Sequence, residues 1–311
     1  MKTKIYIDGQ AGTTGLQIYD RIGAREDLEL LRIDEDKRHD IEERKKFLNA
    51  ADIVFLCLPD AGAVESVSLI ENPEVRVIDA STAHRTADGW TYGFPELSRE
   101  QREAIRKSKR VANPGCHATG FIAATAPLIS MGILPKDYPL TCYSLTGYSG
   151  GGKKMIAEYE DGARAEELSS PAIYGLTLKH KHIPEMQKLT GLAYPPVFMP
   201  VVDDYYKGMA GTIMLHNRML AGKPTAEQIC EKMQEYYSDE HFVSVLPFGT
   251  NESRIYANTL AGTNHLKLIV CGNEEQTSVT ALFDNLGKGA SGAAVQNMNI
   301  MLGLDEGLGL D

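Results

Sequence analysis

The stretch Lys4-Ile-Tyr-Ile-Asp8-Gly9-Gln-Ala-Gly12-Thr-Thr-Gly15-Leu16 decides the fold. It opens with a short apolar run at 4–7 that reads as a buried strand, and it runs on into a helical apolar pattern over 16–22. Between them lies Gly9-x-x-Gly12-x-x-Gly15. Backbone N–H groups at a helix N-terminus reach a pyrophosphate only where no Cβ stands in the way, which is what glycines at this spacing provide. The spacing alone also fits a tight turn. Its place in the first strand–helix unit favours dinucleotide binding, with Gly9, Gly12, Thr13, Thr14 and Gly15 as contacts. Asp34 follows Gly15 by 19 residues, near the place of a ribose-binding acid. By itself Asp34 points to NAD, because a carboxylate repels a 2′-phosphate, whereas Lys37 and Arg38 just beyond it point to NADP. The local residues leave that choice open.

Outward from this unit, apolar runs at 28–33, 52–58 and 75–78 read as further strands, and 64–70 and 99–107 as helices. Alternation of this kind with continuous apolar strands predicts a parallel sheet covered on both faces. The charged run 34–46 reads as a solvated loop and helix face. Beyond residue 140 the texture changes, with longer strand patterns at 140–145, 211–216, 266–271 and 277–283. The last two are joined by Gly272-Asn-Glu-Glu-Gln276, turn chemistry for an antiparallel hairpin. A helix is expected over 225–237 with Pro224 beside its start, and a last one over 289–302 with a small-residue face. The expected fold class is an α/β Rossmann-type dinucleotide-binding domain plus an α+β substrate domain with a mixed or antiparallel sheet, to which the family resemblance given below adds dimerisation.

The chain has 311 residues, enough for about two domains. Its 32 basic and 42 acidic residues give a net charge of −10, which repels a phosphate backbone and argues against a nucleic-acid reader. With 43% hydrophobic and 24% charged residues it has the make-up of a folded globular protein. The five cysteines, Cys57, Cys116, Cys142, Cys230 and Cys271, are odd in number and widely spaced, so neither a disulfide framework nor a zinc ribbon is indicated. The first residues lack an apolar signal core and reach Asp8 at once. Residues 111–135 carry no Asp, Glu, Lys or Arg, but Pro114, Gly115, Gly120 and Pro127 interrupt them, so a buried helix explains them better than a membrane span. The sequon Asn251-Glu252-Ser253 has little weight without secretion. A cytoplasmic protein with reduced thiols is expected, bound to neither membrane nor nucleic acid.

Ala112-Asn-Pro-Gly-Cys116-His-Ala-Thr-Gly120 is the most informative stretch for chemistry. A strand at 110–112 gives way to a Pro-Gly turn, and a helical pattern begins at once. Cys116 therefore sits at a helix N-terminus, where the dipole and free N–H groups stabilise a thiolate. The same N–H groups can receive an oxyanion formed on an attacked carbonyl. The other four cysteines lie in strand or helix patterns and read as small buried hydrophobes. A base is needed, and Lys179-His180-Lys-His182-Ile-Pro184-Glu185 offers two: in an extended segment His180 and His182 share a face, with Pro184 stopping regular structure beyond. A zinc site would have to recruit Cys116 with His84 or His117, which is thin support. Gly147-Tyr-Ser-Gly-Gly-Gly152-Lys153 matches a P-loop, but Lys154 stands where Ser or Thr must hold Mg²⁺, so a glycine loop lining a substrate pocket is the better reading. A nicotinamide domain followed by a thiolate implies a thioester that hydride reduces, through a thiohemiacetal, to an aldehyde.

These residues resemble the shorter class of the N-acetyl-gamma-glutamyl-phosphate reductases, of the aspartate-semialdehyde dehydrogenase-like superfamily. The resemblance runs through Asp8 to Gly15, Ile78-Asp-Ala-Ser-Thr-Ala-His-Arg85, Tyr92-Gly-Phe-Pro-Glu-Leu97, Val111-Ala-Asn-Pro-Gly-Cys116, His180-Lys-His-Ile-Pro-Glu185 and the segment from Asp284 to Asn299. It implies NADPH-dependent reduction of N-acetyl-glutamyl 5-phosphate to the 5-semialdehyde and phosphate, with NADP(H) as cofactor. It assigns the nucleophile to Cys116 and the acid/base to His182, and it implies a homo-oligomer, dimer or tetramer. It also implies that the last helix returns to the first domain, giving 1–116 with 285–311 and 117–284. Ser81 and Arg85 are the expected holders of the departing phosphate, with Lys153 a weaker candidate, and Asn113, Ser149 and Glu185 complete the substrate and phosphate candidates. The closest rival is a sister enzyme of the aspartate-semialdehyde dehydrogenase type with a different acyl phosphate. A non-catalytic NADP-binding regulator is a rival of another class. A carrier-bound substrate would favour a basic docking surface, which a chain of net charge −10 does not offer.

Overall fold

The computed structural model describes residues 2–250 and 253–310, so Asn251 and Glu252 of the sequon lie outside the described residues. The chain divides into two compact units, Met1–Pro114 with Ala290–Asp311, and Gly115–Gly289.

In the first unit, strands and helices alternate: β1 (Thr3–Asp8), α1 (Thr13–Ile22), β2 (Leu28–Leu31), α2 (Ile41–Ala50), β3 (Ile53–Leu56), α3 (Asp60–Leu69), β4 (Arg76–Asp79), β5 (Thr91–Tyr92), α4 (Arg99–Lys107) and β6 (Arg110–Ala112). The sheet order is β2-β1-β3-β4-β6-β5, and every pair is parallel. Because helices cover such a sheet, its strands are buried on both faces, as β3 is throughout. Tyr6, Leu48, Val54, Leu56 and Val77 form part of one core cluster. Asp8, the last residue of β1, is buried and accepts from Arg44 Nη2 of α2 at 3.1 Å and Ser66 Oγ of α3 at 2.7 Å, which ties both helices to the strand end. The C-terminal helix, Gly292–Leu302, belongs to this unit: Arg25 Nη1 donates to Asn299 Oδ1 at 2.6 Å, and Asn297 Nδ2 donates to the Gly93 carbonyl at 2.9 Å. It begins three residues later than the small-residue pattern suggests, after a π-turn over Gly287–Ser291. Asp284 Oδ1 accepts from the Leu286 and Gly287 N–H groups and holds that turn open.

The second unit contains α5 (Cys116–Ser130), β7 (Thr141–Gly147), α6 (Gly152–Glu160), β8 (Ala172–Ile173), α7 (Ile183–Thr190), β9 (Val197–Asp203), β10 (Met209–His216), α8 (Ala226–Tyr236), β11 (Val243–Val245), β12 (Leu266–Gly272) and β13 (Gln276–Phe283). Its sheet, ordered β11-β12-β13-β10-β7-β9-β8, is mixed: β7/β9 and β11/β12 are parallel and the other pairs antiparallel. The β12/β13 hairpin is the one its turn residues predict. The uncharged stretch is α5, buried from His117 to Leu128. An added Cβ on Gly120 would lie 2.7 Å from the Phe283 ring, so glycine lets α5 settle directly on β13. Among the described residues no helix is long and apolar enough to cross a membrane. Cys116, counted with the first domain from sequence, opens α5 and so falls in the second unit. Residues 285–289 do too, because Asn285 is bonded there to Ser149 and Gly208.

Candidate active site

In the first unit, Gly9 has φ +88°, and a Cβ there would stand 2.4 Å from the Cys57 carbonyl oxygen. A Cβ on Gly15 would stand 2.6 Å from the Gly9 carbonyl oxygen. Gly12 is the N-cap of α1 and supplies no side-chain cap hydrogen bond to its first turn, which begins at Thr13 and Thr14. The cradle is therefore open backbone facing a helix end, and it fits the pyrophosphate of a dinucleotide. Asp34 stands before a short 3₁₀ turn, 77% exposed, with Lys37 Nζ at 4.0 Å and Arg38 Nη1 donating to Glu35 at 2.9 Å.

At the C-terminal edge of the same sheet, Asp79 ends β4 fully buried. Its Oδ2 accepts from Ser81 Oγ at 2.7 Å and from His84 Nδ1 at 2.6 Å, and its Oδ1 accepts from the Ser81 N–H at 2.9 Å. Ser81 Oγ also accepts from the Ala83 N–H at 3.2 Å. The His84 ring stacks on Trp90 with centroids 4.0 Å apart. Arg85 donates from Nε to the Asn113 carbonyl at 3.0 Å and from Nη2 to the Ala80 carbonyl at 3.1 Å. Asn113 is fully buried; its Nδ2 donates to the Ala290 carbonyl at 2.9 Å and its Oδ1 accepts from Asn297 at 3.1 Å, so its amide ties β6 to the C-terminal helix.

In the second unit, Cys116 is the first residue of α5, half-buried, behind the extended N-cap Gly115. That places the thiol at the positive end of a fifteen-residue helix. The Gly115 N–H donates to Glu185 Oε2 at 3.1 Å, which joins the start of α7 to the start of α5. Beside the nucleophile, His117 is buried and bonded through Nδ1 to Ser144 Oγ at 2.8 Å and through Nε2 to Tyr174 Oη at 2.7 Å. Burial, then the charges of His180 and Lys181, push its pKa down to about 3, so it stays neutral. Burial and the Cys116 sulfur together push the Tyr174 phenol up. Four rings pack against His117: His180 at 5.5 Å, His182 at 5.7 Å, Phe198 at 5.2 Å and Tyr174 at 6.2 Å between centroids. The chain at Gly289 packs closely on the nucleophile, since a Cβ there would stand 3.0 Å from the Cys116 Cβ.

The histidine pair does not lie in an extended segment. His182 is the helical N-cap residue of α7, its N–H donates to His180 Nδ1 at 3.2 Å, and the two rings meet edge to face at 4.7 Å. Pro184 begins this helix rather than ending structure, since a first-turn residue needs no N–H partner. Ser149 is buried, its Oγ accepting from Asn285 Nδ2 at 3.0 Å. In the glycine loop before α6, a Cβ on Gly147 would meet the Tyr205 and Tyr206 carbonyl oxygens at 2.6 and 2.7 Å, so close chain packing accounts for that glycine, and Lys153 is exposed. Burial pushes the thiols of Cys57, Cys142, Cys230 and Cys271 up, that of Cys142 to about 12, which leaves them poor nucleophiles.

Two family models cover most of the chain: the NAD binding domain of semialdehyde dehydrogenases over residues 6–105, and their dimerisation domain over 116–285. The N-acetyl-gamma-glutamyl-phosphate reductase 2 of Nostoc sp. is 48% identical over 99% of both chains, and that of Pseudomonas putida is 47% identical over 96% of both. The chain belongs to the N-acetyl-gamma-glutamyl-phosphate reductases. Among solved structures, aspartate semialdehyde dehydrogenase II of Vibrio cholerae in complex with ASA matches with a TM-score of 0.71 at 16% identity, covering 97% of this chain and 98% of that one. The Candida albicans aspartate semialdehyde dehydrogenase with NADP matches with a TM-score of 0.69 at 16% identity, covering 97% and 99%. At that identity these two share the fold with this reductase. Members of its family are acyl-phosphate reductases, NADP-dependent enzymes of the phosphorylating aldehyde dehydrogenase type.

Proposed function

We propose that this reductase converts N-acetyl-L-glutamyl 5-phosphate to N-acetyl-L-glutamate 5-semialdehyde and phosphate in arginine biosynthesis. The observation that carries the reading is the placing of Cys116, the one thiol set at the start of a helix, beside a neutral histidine and a second histidine opening α7. The Cys116 sulfur attacks the acyl carbon, and phosphate leaves from the tetrahedral intermediate to give a thioester. N–H groups of the first turn of α5 receive the oxyanion. The cofactor, when bound at the Gly9–Gly15 cradle, supplies hydride. His182 protonates the thiohemiacetal oxygen and draws the proton back as the aldehyde departs. Glu185, through the Gly115 N–H, fixes the turn that aims the sulfur. Arg85 and the Ser81 loop hold the phosphate, and Lys37 and Arg38 meet the 2′-phosphate that distinguishes NADP from NAD.

A homo-oligomer assembled through the sheet of the second unit belongs to the same reading. Tyr143, Met199 and Met214 point to one exposed face, Tyr143 and Met199 being direct neighbours in the β7/β9 register. An apolar stripe of this kind marks a protein interface. Five unbridged thiols suit a cytoplasmic setting. The deciding assay follows NADP reduction by N-acetyl-glutamate semialdehyde with phosphate present. Turnover that requires phosphate and vanishes in Cys116→Ser supports the proposal, and turnover with aspartate semialdehyde in place of the acetylated substrate overturns it.

A further inference from the structure

We infer that Tyr174 is a further catalytic residue, whose hydroxyl gives a hydrogen bond to the carbonyl oxygen of the acyl group that Cys116 carries. This role rests on the thioester chemistry proposed above and on residues of the second unit alone. His117, the residue after the nucleophile, is buried and bonded at both ring nitrogens, Nδ1 to Ser144 Oγ at 2.8 Å and Nε2 to Tyr174 Oη at 2.7 Å. Burial, with the charges of His180 and Lys181, keeps the ring neutral. A neutral imidazole carries one proton, so it donates to one of these hydroxyls and accepts from the other.

Ser144 decides which. It is 2% exposed, and among the described residues its Oγ bonds to His117 alone. If Oγ accepted from Nδ1–H, the serine proton would be buried without an acceptor, at the full cost of desolvating a hydroxyl donor. Ser144 therefore donates to Nδ1, the ring proton sits on Nε2, and Nε2–H donates to Tyr174 Oη. The phenol oxygen is thus filled by His117 while its own proton stays unspent, since among the described residues Tyr174 Oη bonds to His117 alone.

The nucleophile stands close enough for the phenol to feel its charge: burial and then the Cys116 sulfur push the Tyr174 pKa up, which keeps the donor protonated. The proton is not spent on the sulfur and is available to an oxygen attached to it. Tyr174 is also held in place. It follows β8, its N–H donates to the Pro200 carbonyl at 3.1 Å, and its ring meets those of His117 and His180 at 6.2 and 6.0 Å between centroids. Gly175, at φ +64°, then turns the chain away. A fixed, neutral donor aimed at an oxygen that gains charge is an oxyanion contact. Tyr174 transfers no proton: its hydrogen bond strengthens as hydride attack makes the thioester oxygen anionic, and His182 protonates that oxygen. Ser144 and His117 touch no substrate and act as positioning residues.

The test uses full-length enzyme with N-acetyl-glutamate semialdehyde, NADP and phosphate, each rate being divided by the amount of Cys116 that iodoacetamide titrates. Tyr174→Phe should lower kcat about a hundredfold with KM nearly unchanged, the loss expected for one oxyanion donor. Alkylation of Cys116 by iodoacetamide develops no oxyanion and should keep its normal rate to within about twofold. Nitrogen NMR spectra of histidine-labelled protein should show His117 protonated at Nε2 and bare at Nδ1. Ser144→Ala should abolish that preference and lower kcat, and Ser144→Thr, which keeps the hydroxyl, should restore both; this pair carries the test if Tyr174→Phe folds poorly. An undiminished kcat in Tyr174→Phe overturns the inference. So does His117 protonated at Nδ1, and so does alkylation slowed as much as turnover, which would place the phenol on the sulfur. Cys116→Ser tells the two levels apart: turnover that survives it refutes the thioester itself, whereas turnover lost there and unchanged in Tyr174→Phe refutes only the role of Tyr174.

Discussion

Replacing Gly12 and Gly15 one at a time by alanine should separate two demands that the glycine motif combines. A Cβ on Gly15 would lie 2.6 Å from the Gly9 carbonyl oxygen and 2.8 Å from the Gln10 Cα. Both neighbours are backbone, so the loop itself must move. Overpacking of that kind costs about 2 kcal/mol, which lowers the melting temperature by roughly 4–8 °C for a domain of this size. A Cβ on Gly12 meets nothing closer than 3.3 Å, and its φ of −73° suits alanine. There the loss of unfolded-state freedom, worth about 0.4–1 kcal/mol, offsets the poorer cap, and stability should change by less than about 0.5 kcal/mol. Binding should behave in the opposite way. The Gly12 methyl stands where a pyrophosphate must approach the first-turn N–H groups, and losing one charge-assisted hydrogen bond costs about 1.5–3 kcal/mol, or roughly ten- to a hundredfold in Kd. Thermal unfolding of the free protein and calorimetric titration with NADP measure the two effects. A Gly12→Ala protein of normal stability that binds NADP as tightly as the unmodified chain would refute the cradle.

Cys116→Ala should lower turnover by a factor of about a thousand or more, and brief iodoacetamide treatment should label Cys116 ahead of the other four thiols by peptide mass mapping. Labelling of Cys57 first would contradict the burial argument. His117 has a folded pKa near 3 against an ordinary 6.5, so the unfolded chain takes up the proton first. Its contribution to stability is complete above about pH 6.5 and drains away as the pH falls toward 3. His117→Phe should flatten that acid limb in melting curves, and parallel acid limbs in the two proteins would show that another group carries it. Arg38→Ala should raise the NADPH KM about tenfold while leaving NADH nearly unchanged, because only the 2′-phosphate loses a partner.

The first sheet is legible because a parallel strand buried on both faces is an uninterrupted apolar word, as Ile53-Val-Phe-Leu56 is. The strand β9 is hidden by the opposite circumstance. Pro195 and Pro196 precede it and Pro200 lies inside it, a residue that ordinarily marks an edge or an irregular segment. Here β9 sits between β7 and the two-residue β8, and the Pro200 carbonyl still accepts from the Tyr174 N–H at 3.1 Å, so the proline gives up only a donor. No window of sequence conveys that allowance.

The site divides along the same physical line. Cys116 can be read because everything that gives it character is local: a strand end, Pro-Gly, and a helix start within a few residues. The histidine pair can be read as residues but not as geometry, since Pro184 looks like a stop until the turn at 180–182 makes it a helix opener. The Ser144–His117–Tyr174 chain spans partners 27 and 57 positions away, and no spacing rule reaches them. The Asp79–His84 pair lies between these cases. Only five residues separate the two, yet the signal is the acid itself, a carboxylate ending an apolar strand where an apolar residue would be expected. A buried charge survives there only if donors surround it, and the chain supplies three, two from Ser81 and one from His84. An unexplained acid at a strand's carboxyl end is thus a reason to search the next few residues for the group it was placed to hold.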